Sequence, residues 1–177
     1  MKRTSLTLSL LLILFAGGGV GETRENAEYD MLPLQPFTGS GVILAESLLR
    51  CSSLYTSNVI VALRSCGYFN QKADVDEFIE SEEFKSCGHY DDTKTRSKYA
   101  ISFRYLLEEL SKKEGFSYED FLKKSNPQVD KYFLEILDTL QAISENPTDP
   151  PSFSALLKND YKVCMDYRDY VDSEERK

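Results

Sequence analysis

The chain has 177 residues, with 29 acidic against 21 basic side chains, one histidine and a net charge of −8. That balance disfavours nucleic acid and anionic membrane surfaces and favours a basic partner or simple solubility. A single histidine excludes any catalytic apparatus needing two, and the sequence holds no GxSxG, HExxH, Walker or dinucleotide fingerprint.

Residues 1–21 read as a secretory signal peptide. Lys2 and Arg3 precede an apolar run of about eleven residues, LTLSLLLILFA, and then the small residues GGGVG. The run is shorter than the roughly twenty residues that span a bilayer comfortably, so no stable membrane insertion is expected. Gly19 and Gly21 place cleavage at Gly21–Glu22, with Ala16 and Gly18 as an earlier site; a retained N-terminal anchor is the alternative. Residues 22–177 keep all 29 acids and 19 of the 21 bases, a net charge near −10. A chain of that length forms one domain with a real core.

Residues 22–37, with Pro33 and Pro36, read as a flexible leader or an arm lying against the domain. A single helical domain is expected over 38–172. Thr38 or Ser40 caps the first helix, whose apolar face is Ile43 or Leu44, Leu48, Cys51 and Leu54 or Tyr55. Ser57 would cap a second helix, ending either at a positive-φ Gly67 or with Gly67 against another backbone. Residues 73–86 predict an acidic amphipathic helix with a break near Ser81, ended by Cys87-Gly88. HYDDTKTRS then reads as a turn. Tyr99, Phe103, Leu106, Leu107 and Leu110 mark a clear helix stopping before Gly115. Ser117 with Asp120 forms a weak capping box opening a short helix through Lys124. Asn126-Pro127 opens the next helix, with the face Val129, Phe133, Ile136 or Leu137, Leu140 and Ile143. Pro147, Pro150 and Pro151 make a loop, and Ser152 caps a last helix striped by Phe153, Leu157, Tyr161, Cys164, Tyr167 or Arg168, and Val171. Residues 173–177 are a polar tail. The expected fold is all-α, a compact bundle of five to seven helices stabilised by two disulfides.

Cys51, Cys66, Cys87 and Cys164 all follow the export signal, and an even count in an exported chain points to two bridges. Three pairings are open. Cys51 and Cys164 lie on apolar stripes of the first and last helices, and a bridge closing about a hundred residues is worth on the order of 4 kcal/mol in the chain-entropy account. A zinc site can be drawn from Cys87, His89, Asp91 and a fourth ligand. It needs reduced cysteine and lacks the paired spacing of structural zinc sites, so no metal or other cofactor is assigned and His89 is read as an exposed turn residue. The acids Asp74, Asp76, Glu77, Glu80, Glu82 and Glu83 are best explained as a solvated helix face, with docking of a basic partner second. No catalytic residue is assigned, and the protein is read as no enzyme. Around Cys164, DYKVCMDYRDYVDSEE alternates tyrosine with acid. Tyr161, Asp166, Tyr167, Asp169, Tyr170 and Asp172 are the partner-binding candidates, since tyrosine gives contact area at low entropy cost and carboxylates recognise lysine or arginine. The competing reading turns Tyr161 and Tyr167 into the core.

LAESLLRC at 44–51, CGYFNQKADVDEF at 66–78, Cys87 and LLKNDYKVCMDYRDYVDSEE at 156–175 together resemble the small exported all-helical immunity proteins of type VI secretion that neutralise cell-wall amidase effectors. Those families space the second cysteine one residue further from the glycine–tyrosine pair, and the loop at 147–151 has no counterpart in them. The resemblance implies a periplasmic, non-enzymatic inhibitor that blocks the cleft of a toxic hydrolase, often as a homodimer, with contacts around Asp166, Tyr167, Asp169 and Tyr170. The alternative from another class is a secreted helical carrier of a small apolar ligand.

Overall fold

The computed structural model describes residues 31–34, 41–68 and 74–174. The export signal expected over 1–21 and the caps expected at Thr38 and Ser40 lie outside them. Seven helices and no strand occur among the described residues: α1 (Val42–Ser65), α2 (Val75–Glu80), α3 (Glu82–Ser86), α4 (Tyr90–Glu114), α5 (Tyr118–Lys123), α6 (Ser125–Glu145) and α7 (Ala155–Glu174). The all-α expectation and its two disulfides hold.

The first two predicted helices are one. α1 runs unbroken through Ser57, and every residue from Cys51 to Val61 is buried. It packs chiefly against α4 and α6, with α7 also in contact. A helix enclosed on several sides would normally be apolar all round, yet its middle reads SSLYTSN. The small polar residues satisfy themselves one turn back: Ser53, Thr56, Ser57 and Asn58 donate to the carbonyls of Leu49, Ser52, Ser53 and Leu54 at 2.8–2.9 Å. Ser52 donates across to the Ala100 carbonyl on α4, and the single Ser57 proton is shared between the Ser53 carbonyl and that of Val129 on α6, the cross-helix distances both being 2.9 Å. Arg104 donates to Ser52 and Ser125 at 3.2 and 3.1 Å, tying α4 to the helices beside it. Ser57 therefore caps nothing; it lets neighbouring backbones approach while paying no unsatisfied hydrogen bond.

α1 starts at Gly41 (φ 59°) with no side-chain cap. It ends at Cys66, and Gly67 has φ 83° with open space where a Cβ would stand. Helix termination, not close backbone approach, is its role. Beyond it, the acidic segment breaks at Ser81 as expected, with Ser81 Oγ accepting from the Phe84 amide at 3.1 Å.

The HYDDTKTRS stretch is not a turn. α4 begins at Tyr90, with Asp91 and Asp92 in its first turn and Lys112 and Lys113 in its last, the arrangement the helix macrodipole favours. Gly115 (φ 76°) stops it, and Ser117 Oγ accepts from the Asp120 amide to cap α5. α6 starts at Ser125, one residue before the predicted cap Asn126 and two before Pro127. Its buried face is Gln128, Val129, Tyr132 and Ile136, whereas Leu140 is exposed. The last helix is capped by Ser154, not Ser152: Ser154 Oγ accepts from the Leu157 amide at 3.1 Å. α7 also continues to Glu174, into the predicted tail.

Two apolar clusters result. The larger joins α1, α4, α6 and α7 around Leu48, Leu54, Phe103, Tyr132, Leu157 and Tyr167. The smaller packs Val59 and Leu63 of α1 on Val75, Phe78, Ile79 and Phe84 of α2 and α3. Each carries one bridge. Cys51–Cys164, 113 residues apart in sequence, lies in the larger core, and Cys66–Cys87, 21 apart, closes the smaller. No cysteine is free. Both bridges suit an oxidising compartment, and no helix of the described residues is long and apolar enough to cross a membrane.

Candidate functional site

The six predicted partner-binding residues of α7 divide between its two sides. Tyr167 is buried in the main core. Tyr161 is half-buried and donates to Asn58 Oδ1, which also accepts from Arg96. Burial pushes the hydroxyl pKa of both tyrosines up. These two belong to the packing of the domain, because a tyrosine three or four residues from Leu157, Cys164 and Val171 falls on the inward stripe.

Asp172 is engaged at the edge of the helix. It accepts from the Tyr99 hydroxyl at 2.9 Å and from Lys98 Nζ at 3.4 Å. The Tyr99 hydrogen bond, helped by Lys98, holds its carboxyl below the usual aspartate range. Arg168 lies over the Tyr99 ring at 4.3 Å.

Asp166, Asp169 and Tyr170 remain on the outer face, beside an exposed Met165. The same stripe continues toward the helix start through exposed Lys162 and Lys158. The surface is thus basic near its beginning and acidic–aromatic near its end, not acidic throughout. α7 has no acid in its first turn and no base in its last, so its charges are not arranged to favour the macrodipole.

What fixes this face was missed by the sequence reading. Asp160 is completely buried on the inner side of α7. It pairs with Arg50, accepts from the Tyr132 hydroxyl, and accepts from the Leu34 amide at 2.9 Å. Arg50 also donates to the Leu32 carbonyl, and Asn159 donates to the Leu34 carbonyl at 2.9 Å. Met31 and Leu34 are buried in the main core. Residues 31–34 are therefore fastened to α1 and α7. Burial drives the Tyr132 hydroxyl well above the ordinary tyrosine range. The sequence did carry a signal: Asp160 stands three residues after Leu157 and four before Cys164, a carboxylate on an apolar stripe.

Several acids of the α2–α3 cluster serve local structure. Asp74 accepts from the Asp76 amide at 2.9 Å, Glu80 binds the Tyr90 hydroxyl at 2.8 Å and Lys94 at 2.9 Å, and Glu82 pairs with Lys85. The Lys94 and Tyr90 contacts hold Glu80 below its ordinary pKa. One group of possible metal donors occurs among the described residues, Cys66, Cys87 and His89. It includes Cys66, which the drawn zinc site left unspecified, and omits Asp91; its sulfurs are joined as a disulfide. Compared with known proteins, the chain matches no family model, and no curated protein or solved structure matches it at a significant level.

Proposed function

We propose that the chain is an exported, non-enzymatic protein-binding module, secreted or periplasmic, whose partner presents a basic surface to the end of α7. The observation that carries this reading is the outer face of that helix. Met165 and Tyr170 offer apolar and aromatic contact among Asp166 and Asp169, on a helix whose opposite side is bonded to α1 through Cys51–Cys164. A surface already ordered loses little entropy on binding, which favours affinity. Carboxylates around an aromatic anchor suit lysine or arginine. Within this reading, the resemblance of the cysteine segments to type VI amidase-immunity proteins supports a cell-wall-degrading hydrolase as the partner class, inhibited by occlusion of its cleft.

The test uses oxidised protein beginning at Glu22. Proteins it retains from an extract of its own organism are purified, and their cell-wall hydrolysis is measured with and without the chain. Loss of hydrolysis at a one-to-one ratio supports the inhibitor reading. Asp166→Lys with Asp169→Lys should leave helicity intact and weaken the complex about tenfold or more. Unchanged affinity would place the interface elsewhere. A chain that retains only a small apolar molecule would instead be a carrier.

A further inference from the structure

Cys66 and Cys87 end α1 and α3, each followed by a glycine with positive φ, Gly67 at 83° and Gly88 at 81°. His89 comes next and begins α4, and its side chain makes no capping bond. The two sulfurs and a ring nitrogen of His89 all lie within 4.8 Å of one another. The sulfurs themselves are bonded at 1.99 Å; a tetrahedral site drawn on metal–sulfur bonds of about 2.3 Å needs them about 3.8 Å apart, a separation that only reduction allows.

We propose that Cys66, Cys87 and His89 form a redox-gated metal site: closed to metal as the disulfide, and taking one zinc-class cation when reduced. Reduction breaks the S–S bond with two electrons and two protons. A dithiol reductant supplies them and departs as its own disulfide. Zn2+ then displaces one proton from each thiol and accepts the lone pair of a neutral imidazole, leaving a fourth position for solvent or another ligand.

Two features make this bridge the one that opens. Cys66 and Cys87 are half-buried, whereas Cys51 and Cys164 have no exposed surface, and exchange requires the attacking thiolate to reach a sulfur. The thiols would also stay close after reduction. Val59 and Leu63 on one side of the bridge pack against Val75, Phe78, Ile79 and Phe84 on the other, with Tyr68 and Tyr90 against them. Cys51 and Cys164 belong to the other, larger cluster.

The experiment treats the oxidised full chain with a limiting phosphine reductant, maps free thiols by alkylation and mass spectrometry, and titrates with Co2+ and then Zn2+. Cys66 and Cys87 should be alkylated first with helicity kept. The reduced protein should bind one Co2+ with thiolate charge-transfer absorption that Zn2+ displaces, and the oxidised protein should show none. His89→Ala, which leaves both bridges intact, should weaken the reduced protein's affinity by roughly tenfold or more. Simultaneous opening of Cys51–Cys164 with loss of helicity, no thiolate absorption on reduction, or equal metal affinity in His89→Ala would each overturn the proposal.

Discussion

Replacing Asp160 by alanine tests what fastens α7 and residues 31–34 to the core. Asp160 has no exposed surface, and the Arg50 side chain paired with it is only 11 % exposed. The substitution leaves that guanidinium without its carboxylate and strips acceptors from the Tyr132 hydroxyl and the Leu34 amide. Removing one partner of a buried pair costs about 3–5 kcal/mol, a large share of the roughly 5–15 kcal/mol that holds an average domain together. At about 2–4 °C per kcal/mol for a chain of this size, the melting temperature should fall by about 6–20 °C. Urea unfolding with both disulfides intact gives the stability. Amide exchange locates the loss: Leu34 should lose protection while the centre of α1 keeps it. Removing the network together, with Arg50→Met, Tyr132→Phe and Asp160→Leu, should cost less than Asp160→Ala alone, because no charge is left buried. A loss below about 1 kcal/mol with Leu34 still protected would refute the assignment.

The two bridges should differ in worth. By the chain-entropy relation, closing 113 residues contributes about 5 kcal/mol and closing 21 about 3 kcal/mol, so Cys51→Ala with Cys164→Ala should lower the urea midpoint more than Cys66→Ala with Cys87→Ala; the reverse order would contradict that account. Tyr55, Tyr118, Tyr132, Tyr161 and Tyr167 all have raised pKa values, burial being the first cause for each. Each is held protonated in the fold, so their contribution is intact below the ordinary value of 10.0 and is lost as pH rises above it. Tyrosinate absorbance should show part of the eleven tyrosines titrating only as the protein unfolds, and uniform titration near pH 10 in folded protein would count against the burial. Thr93 is 1 % exposed and its hydroxyl has no partner among the described residues; Thr93→Val should be neutral or stabilising by up to about 1 kcal/mol in the same urea assay, since it removes a buried orphan at nearly constant volume.

Much of the fold was legible in one dimension because its signals are local. Gly115 after Lys112 and Lys113, Ser117 three residues before Asp120, and the break at Ser81 each satisfy backbone groups within one turn, so neighbouring residues determine them. The misread segments are those where a local signal was answered at long range or by a competing local rule. Ser57 has the chemistry of a cap, but its carbonyl acceptor on α6 is 72 residues away. HYDDTKTRS looks like a turn by polarity, while its acids suit the first turn of α4. Tyr132 is absent from the predicted α6 face, yet it fills the core with its hydroxyl on Asp160; its burial depends on that distant carboxylate and on Arg50 rather than on neighbouring residues.

The amino-acid sequence by itself determined an all-helical domain, the number of its disulfides and the inward placement of Cys51 and Cys164, because periodicity and composition act residue by residue. The tertiary structure alone decided which cysteines pair, that residues 31–34 are fastened to the domain, and which side of α7 stays outside. Each of those depends on groups from distant parts of the chain arriving together. Arg50, Tyr132 and Asp160 are unremarkable polar residues until folding puts them at one point, where removal from water makes their mutual satisfaction obligatory.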